Sequence, residues 1–357
     1  MRHFFALEAV QAHEGDALLL RYGTAADSRL VMIDGGPADT YEPWIRPRLE
    51  ALARGRAPLT VELLMVSHID DDHINGVLDL FEQLADADGP GGPAPVTVRE
   101  VWHNSFRDLT RSEPPRELAE RERAVSRTSR PSIVRSVPQG RALRALVERL
   151  GLPLNAQGAD GVITDAVAPV VLAGDLTLTV IAPNQQRVQA LQEKWQATRG
   201  VAPALERAVD PDDSVFNLAS LVVLAEYHGR TMLLTGDALD KDILDGLEHA
   251  GYLDADGRAH VDVLKLPHHG SDRNVSTEFF RRVMADHYVV SGDGKHDNPE
   301  LATIQMLADA RANQRYTLHL TNRETRLAPV LRARPKRTVK VRERDALYVG
   351  PRLTITV

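Results

Sequence analysis

Residues 67–76 read SHIDDDHING, with two histidines and three aspartates between His68 and His73. Carboxylates packed this closely repel one another, and a bound cation is the simplest way to hold them together. The preceding run VELLMVS (61–67) is continuously apolar, as expected of a strand buried on both faces. After His73, Ile74, Val77, Leu78, Phe81 and Leu84 recur at helical intervals. The cluster is therefore expected where a rigid strand ends and a helix begins, beside backbone N–H groups able to orient carboxylates. If the loop is extended, residues 68, 70 and 72 share one side and His73 turns towards a second ion. Asn75-Gly76 reads as a turn.

The same logic recurs downstream. LLTGDAL brings an apolar run to Gly236-Asp237, and LKLPHHGS brings another to His268-His269-Gly270. A lone strand-end aspartate commonly caps a helix, and paired histidines can be incidental to a surface. Three such tips in one chain favour a metal centre. A hydrolytic centre needs about three protein ligands per ion and an open position, and a two-ion centre also needs a bridging carboxylate.

Around these tips the chain alternates strands and helices. ALLLRYG (17–23), RLVMIDGG (29–36), VREVWHNS (98–105), LTLTVIAP (176–183), ASLVVLAEYHG (219–229), RTMLLTGDAL (230–239), VDVLKLPHHGS (261–271) and HYVVSGDG (287–294) carry strand patterns. Helices are expected at about 42–55, 185–196, 240–250, 276–285 and 300–312, and three or four strands after residue 315. With no internal repeat and no linker, this is an α/β layered chain forming one domain over 1–357, with a β-rich C-terminal extension at about 315–357. Residues 106–150 hold eleven arginines against six acids and read as a helical insertion with a Ser/Pro-containing middle. The insertion is either a basic flap for a phosphorylated substrate or a solvated arginine-rich helix pair.

At 357 residues and 43% hydrophobic, the chain has ample material for a large core. Its formal charge of −7 argues against coating nucleic acid through the overall field, so a polyanion would have to be met locally. The absence of cysteine excludes disulfides, thiolate ligands and a cysteine nucleophile, leaving His and Asp to hold Zn²⁺, Mn²⁺ or Fe. No signal-peptide core and no membrane-spanning stretch is present, so a cytoplasmic location is the expectation.

Taken in order, Asp34-Gly-Gly, His68-x-Asp70-x-Asp72-His73, Gly236-Asp237 and His268-His269-Gly270-Ser271 resemble the metallo-β-lactamase superfamily. GDALLLRYG, SHIDDDHING, FNLASLVVL, LLTGDAL and VLKLPHHGS are similar to the hydrolase domain of bacterial competence proteins of the ComEC type, over about residues 14–300. The resemblance implies an αββα sandwich with a dinuclear site, holding Zn or Mn, at the edge between two sheets. It implies that His68 and Asp70 hold one ion, Asp70 standing where most of the superfamily has histidine. Asp72 and His73 hold the other with His268 or His269, the former being nearer the strand end, and Asp237 bridges. Asp34 orients a ligand histidine. His103 is the best-placed candidate for the superfamily's further histidine. His296 resembles a substrate-side histidine of the ComEC type, although that pattern sets His directly before Pro and here Asp297 and Asn298 intervene.

Two such ions would activate water against a carbonyl or phosphoryl centre, with Asp72 as proton acceptor. A carboxylate at position 70 adds negative charge and favours harder ions, which points towards phosphoesters. The resemblance implies a nuclease or phosphodiesterase, freestanding because the channel-forming membrane part of competence proteins is absent, and acting alone or with a protein partner. The alternatives are a hydrolase of a small ester, lactone or phosphocholine-like substrate and a non-catalytic scaffold.

Overall fold

The computed structural model describes residues 2–54, 59–86, 92–105, 108–109, 133–197, 219–332, 339–343 and 352–357. Among these, the strands are β1 (His3–Val10), β2 (Leu18–Thr24), β3 (Ser28–Ile33), β4 (Leu59–Val66), β5 (Val96–Val98), β6 (Val101–His103), β7 (Val170–Leu172) and β8 (Leu176–Ala182). They continue with β9 (Val222–Tyr227), β10 (Arg230–Leu234), β11 (Ala259–Lys265), β12 (Val283–Val290), β13 (Tyr316–Leu320), β14 (Val339–Glu343) and β15 (Arg352–Thr356). The helices are α1 (Arg46–Ala53), α2 (Asp71–Ala85), α3 (Ile133–Arg149), α4 (Gln185–Ala197), α5 (Asp240–His249), α6 (Thr277–Arg282), α7 (Leu301–Ala310) and α8 (Ala328–Arg332).

The described strands form two sheets. One runs β15-β1-β2-β3-β4-β5 with β6 also on β4, and the other runs β14-β13-β12-β11-β10-β9-β8-β7. Phe5, Leu20, Met65 and Trp102 from the first sheet meet Val223, Leu234, Val263 and Val289 from the second in a shared core. The outer face of the first sheet packs on α1, α2 and α3 through Leu49, Phe81, Leu143 and Val147. The outer face of the second packs on α5, α6 and α7 through Ile243, Phe279 and Ile304. The result is a helix–sheet–sheet–helix sandwich of mixed α/β class.

β1 goes beyond the sequence reading, which began its strands at residue 17. Glu8 interrupts the apolar pattern of HFFALEAV and is itself buried, because Arg48 donates to it twice at 2.7 Å and Arg21 donates to it at 2.7 Å. At the other end of the chain, β13 and β14 extend the second sheet in parallel while β15 pairs antiparallel with β1. The tail thus belongs to both sheets. The helix expected over 276–285 stops at Arg282, where Val283 begins parallel pairing opposite Ala259. Of the arginine-rich insertion, residues 106–107 and 110–132 lie outside the described residues, and α3 lies against α2.

Asn75-Gly76 is helix, not turn: both residues lie within α2. A Cβ at Gly76 would stand 2.1 Å from the Gly35 carbonyl oxygen, so glycine is required because α2 crosses the end of β3 at backbone contact.

Candidate metal centre

Consecutive strand ends feed one edge of the sandwich. Asp34 follows β3, His68 and Asp70 follow β4, Asp72 and His73 form the first turn of α2, Asp237 follows β10, and His268 and His269 follow β11. The extended alternation expected for 68, 70 and 72 ends at Asp70, the residue preceding α2, and Asp72 is carried on the helix.

Asp237 is buried at the centre. Its Oδ1 lies 3.4 Å from His73 Nε2 and 3.7 Å from His269 Nε2, and its Oδ2 lies 3.6 Å from His68 Nε2 and 3.5 Å from His268 Nε2. Each oxygen therefore faces its own pair of imidazoles. Asp72 Oδ2 closes one lobe, 3.3 Å from His269 Nε2, and Asp70 Oδ2 closes the other, 3.7 Å from His68 Nε2. His73 Nε2 and His269 Nε2 converge to 3.1 Å.

The outward-facing nitrogens fix which ring atom points inwards. Asp34, a pure acceptor, lies 2.9 Å from His73 Nδ1 and accepts from Ser67 N and Ser67 Oγ at 2.7 Å each. The Ser67 hydroxyl, having donated to Asp34, accepts from His68 Nδ1 at 3.0 Å. Asn274 donates through Nδ2 to the Asp237 carbonyl, so its Oδ1 receives His268 Nδ1–H at 2.8 Å. His73, His68 and His268 thus aim Nε2, and not Nδ1, at the centre.

Burial and the neighbouring His73 charge push His68 down to about 3. Burial also opposes charge on His73 and His269, but the Asp237 carboxylate, joined by Asp72 and Asp34 at His73 and by Asp16 at His269, outweighs it and raises both. Burial raises Asp72 and Asp237, and the surrounding imidazoles more than offset this, holding both below the usual carboxylate range.

These residues suit a divalent cation. His68 Nε2 and Asp237 Oδ1 are buried atoms that make no hydrogen bond, although both sit among groups only 3.4–3.7 Å away. Polar atoms withdrawn from water without a partner are costly. Atoms converging at separations too long for hydrogen bonding but suited to a shared ion are the arrangement a metal requires.

Asp16, Ser291 and Lys265 join the site without having been read as part of it. Asp16, His73, Asp237 and His269 each offer an atom within 4.8 Å of the others. In sequence, Gly15-Asp16 resembles any turn before a strand, and only an aspartate that is later buried beside a lysine distinguishes it. His103, at the end of β6, is fully buried with Val66 as its cross-strand neighbour, and burial pushes it down to about 4. Its ring lies near Gly140, and among the described residues it makes no ion pair with the cluster's carboxylates. His296 is exposed on a short turn with φ 57°. The loop carrying it touches the site through Asn298, whose Nδ2 lies 3.4 Å from the His268 carbonyl.

The family model of the metallo-beta-lactamase superfamily matches residues 13–209, more than half of the chain, and the protein belongs to that superfamily. The match carries Asp16, Asp34 and the 68–73 cluster. Asp237, His268 and His269 lie beyond it, and the fold brings them to the same edge. Among solved structures, the chain is similar over its whole length to the metallo-beta-lactamase fold protein YhfI from Bacillus subtilis, at 11% identity, 100% of that chain and TM-score 0.40. It is likewise similar to a diphosphatase of the PhnP family, at 11% identity, 99% of that chain and TM-score 0.39. No helix among the described residues is long and apolar enough to cross a membrane.

Proposed function

We propose that the protein is a dinuclear metallohydrolase acting on phosphodiesters, with nucleic acid as the favoured substrate class. The observation that carries the two-ion reading is Asp237, whose two carboxylate oxygens face separate histidine pairs. In this reading His73, His269 and Asp72 would hold one ion, His68, His268 and Asp70 would hold the other, and Asp237 would serve both. His268 and His269 would then serve different lobes, a reading supported by their rings facing different oxygens of Asp237. Two divalent ions bound there would supply Lewis acidity and water acidified to near-neutral pH.

The chain's own residues orient the reaction. Asp34, Ser67 and Asn274 hold the imidazoles, and Asp72, kept ionised by His73 and His269, receives the proton. His296, exposed on the loop that touches the site through Asn298, is the proposed substrate-side histidine. The carboxylate at Asp70 and the ComEC-type motifs support phosphodiester chemistry over lactam chemistry, and Mn²⁺ or Zn²⁺ as the ion. The test is a substrate panel of bis-p-nitrophenyl phosphate, single- and double-stranded DNA, RNA, a lactone and a β-lactam, with each metal. Phosphodiester cleavage lost in Asp237→Ala is the expected result. Lactone turnover without phosphodiester cleavage would move the assignment to a small-ester hydrolase.

A further inference from the structure

The fourth histidine of the centre is held differently from the other three. His269 Nδ1 lies 3.1 Å from Ser291 Oγ, at the end of β12, and Ser291 Oγ in turn contacts Asp16 Oδ1. Asp16 Oδ2 pairs with Lys265 Nζ at 2.7 Å, and Lys265 Nζ also donates to the Leu266 carbonyl at 2.9 Å. Lys265 is fully buried, and Asp16 and Ser291 are at most 4% exposed, so water plays little part in these contacts.

The direction of the chain follows from what each group can give. Lys265 only donates, and ionised Asp16 only accepts. The Ser291 hydroxyl therefore donates to Asp16, its oxygen accepts from His269 Nδ1–H, and His269 Nε2 is left facing Asp72 and Asp237. The backbone here needs such an anchor. His268 and His269 are consecutive non-glycine residues in the left-handed region, at φ 46° and 53°. Each such residue costs on the order of 1–3 kcal/mol unless its surroundings fix it. His268 is fixed by its N–H to the Gly236 carbonyl and by Ser271 N–H to its own carbonyl, whereas the His269 ring is tied on its outer side through Ser291.

We infer that Lys265, Asp16 and Ser291 form a positioning relay that sets the tautomer and aim of His269, and that Asp16 acts through Ser291 and not as a metal ligand. Lys265 neutralises Asp16, so the relay orients His269 without adding net charge to the centre. The relay links the ends of two neighbouring strands of the second sheet, β11 and β12, to the loop before β2 of the first, coupling the PHHG turn to the N-terminal part of the chain. This inference rests on the two-ion reading of the site.

The test is calorimetric titration of Zn²⁺ into the metal-free full chain, with Ser291→Ala and Ser291→Thr beside the wild type. The wild type is expected to take two ions. Ser291→Ala is expected to weaken one of them about 10- to 100-fold and leave the other, while Ser291→Thr, which keeps the hydroxyl, restores it. Unchanged or tighter binding in Ser291→Ala would overturn the relay, as expected if Asp16 were itself a ligand freed by the change. A wild type that binds no ion, or one, would instead fail the two-ion reading. Should Ser291→Ala not fold, the ¹⁵N spectrum of the metal-loaded wild type decides. A protonated Nδ1 on His269 supports the relay, and an unprotonated one overturns it.

Discussion

Asp34 and Asp237 carry the electrostatics of the centre in different ways. Asp34 sits at φ 58°, a conformation asparagine also tolerates, so Asp34→Asn keeps the backbone while removing the charge behind His73. Metal affinity is expected to fall roughly 10- to 100-fold, measured by chelator competition, with little change in the unfolding midpoint. The raised values of His73 and His269 make a second prediction. The Asp237 carboxylate makes both rings hold their protons more tightly than a free imidazole does, and a cation must displace those protons, so binding should release protons and strengthen as pH rises. Titrations in buffers of differing ionisation enthalpy measure that release, and pH-independent binding between pH 6 and 8 would contradict it. Much of the site was legible because His68, Asp70, Asp72 and His73 are contiguous and because Asp237 and His268-His269 end apolar runs. Asp16, Lys265 and Ser291 were not, since each is ordinary in its own stretch and gains a role only when β2, β11 and β12 converge. The choice between His268 and His269 was equally hidden. It depends on two left-handed residues that aim adjacent rings at opposite oxygens of Asp237.

At the scale of elements, α2 is the piece that joins fold to site. Its first turn bears Asp72 and His73, and its Gly76 lies against Gly35, just beyond β3. Gly76→Ala forces a Cβ onto the Gly35 carbonyl and should push α2 away from the sheet, costing about 1–3 kcal/mol or more in denaturant unfolding. It should also weaken metal binding, because His73 moves with the helix. The existence of α2 was readable from Ile74, Val77, Phe81 and Leu84. That Asn75-Gly76 would continue the helix was not, because the demand for a missing side chain comes from Gly35, distant in the chain. β1 escaped for a related reason: Glu8 looks like a strand breaker until Arg21 and Arg48 arrive from elsewhere to neutralise it. Arg48→Met, leaving that carboxylate half-paired in the interior, should cost about 3–5 kcal/mol.

Across the whole molecule, the site is an edge where two sheets meet, and the ends of the chain help to define those sheets. β15 covers β1 from Ala6 to Val10, with Ile355 buried between the layers. A chain ending before Arg352 would bare that edge, and concentration-dependent association in light scattering is the expected outcome. The layered class followed from the alternation of strands and helices, whereas the partition of the tail between two sheets depends on long-range pairing that no local pattern encodes. Asp237, with one oxygen in each lobe, is the residue on which two-ion binding would depend. Metal content of the purified protein and of Asp237→Ala, by mass spectrometry after equilibration with Zn²⁺ or Mn²⁺, tests this most directly. Two ions per chain in the wild type, and loss of both or of all tight binding in the variant, is the predicted result. A wild type without metal, or a variant that keeps both ions, would contradict it.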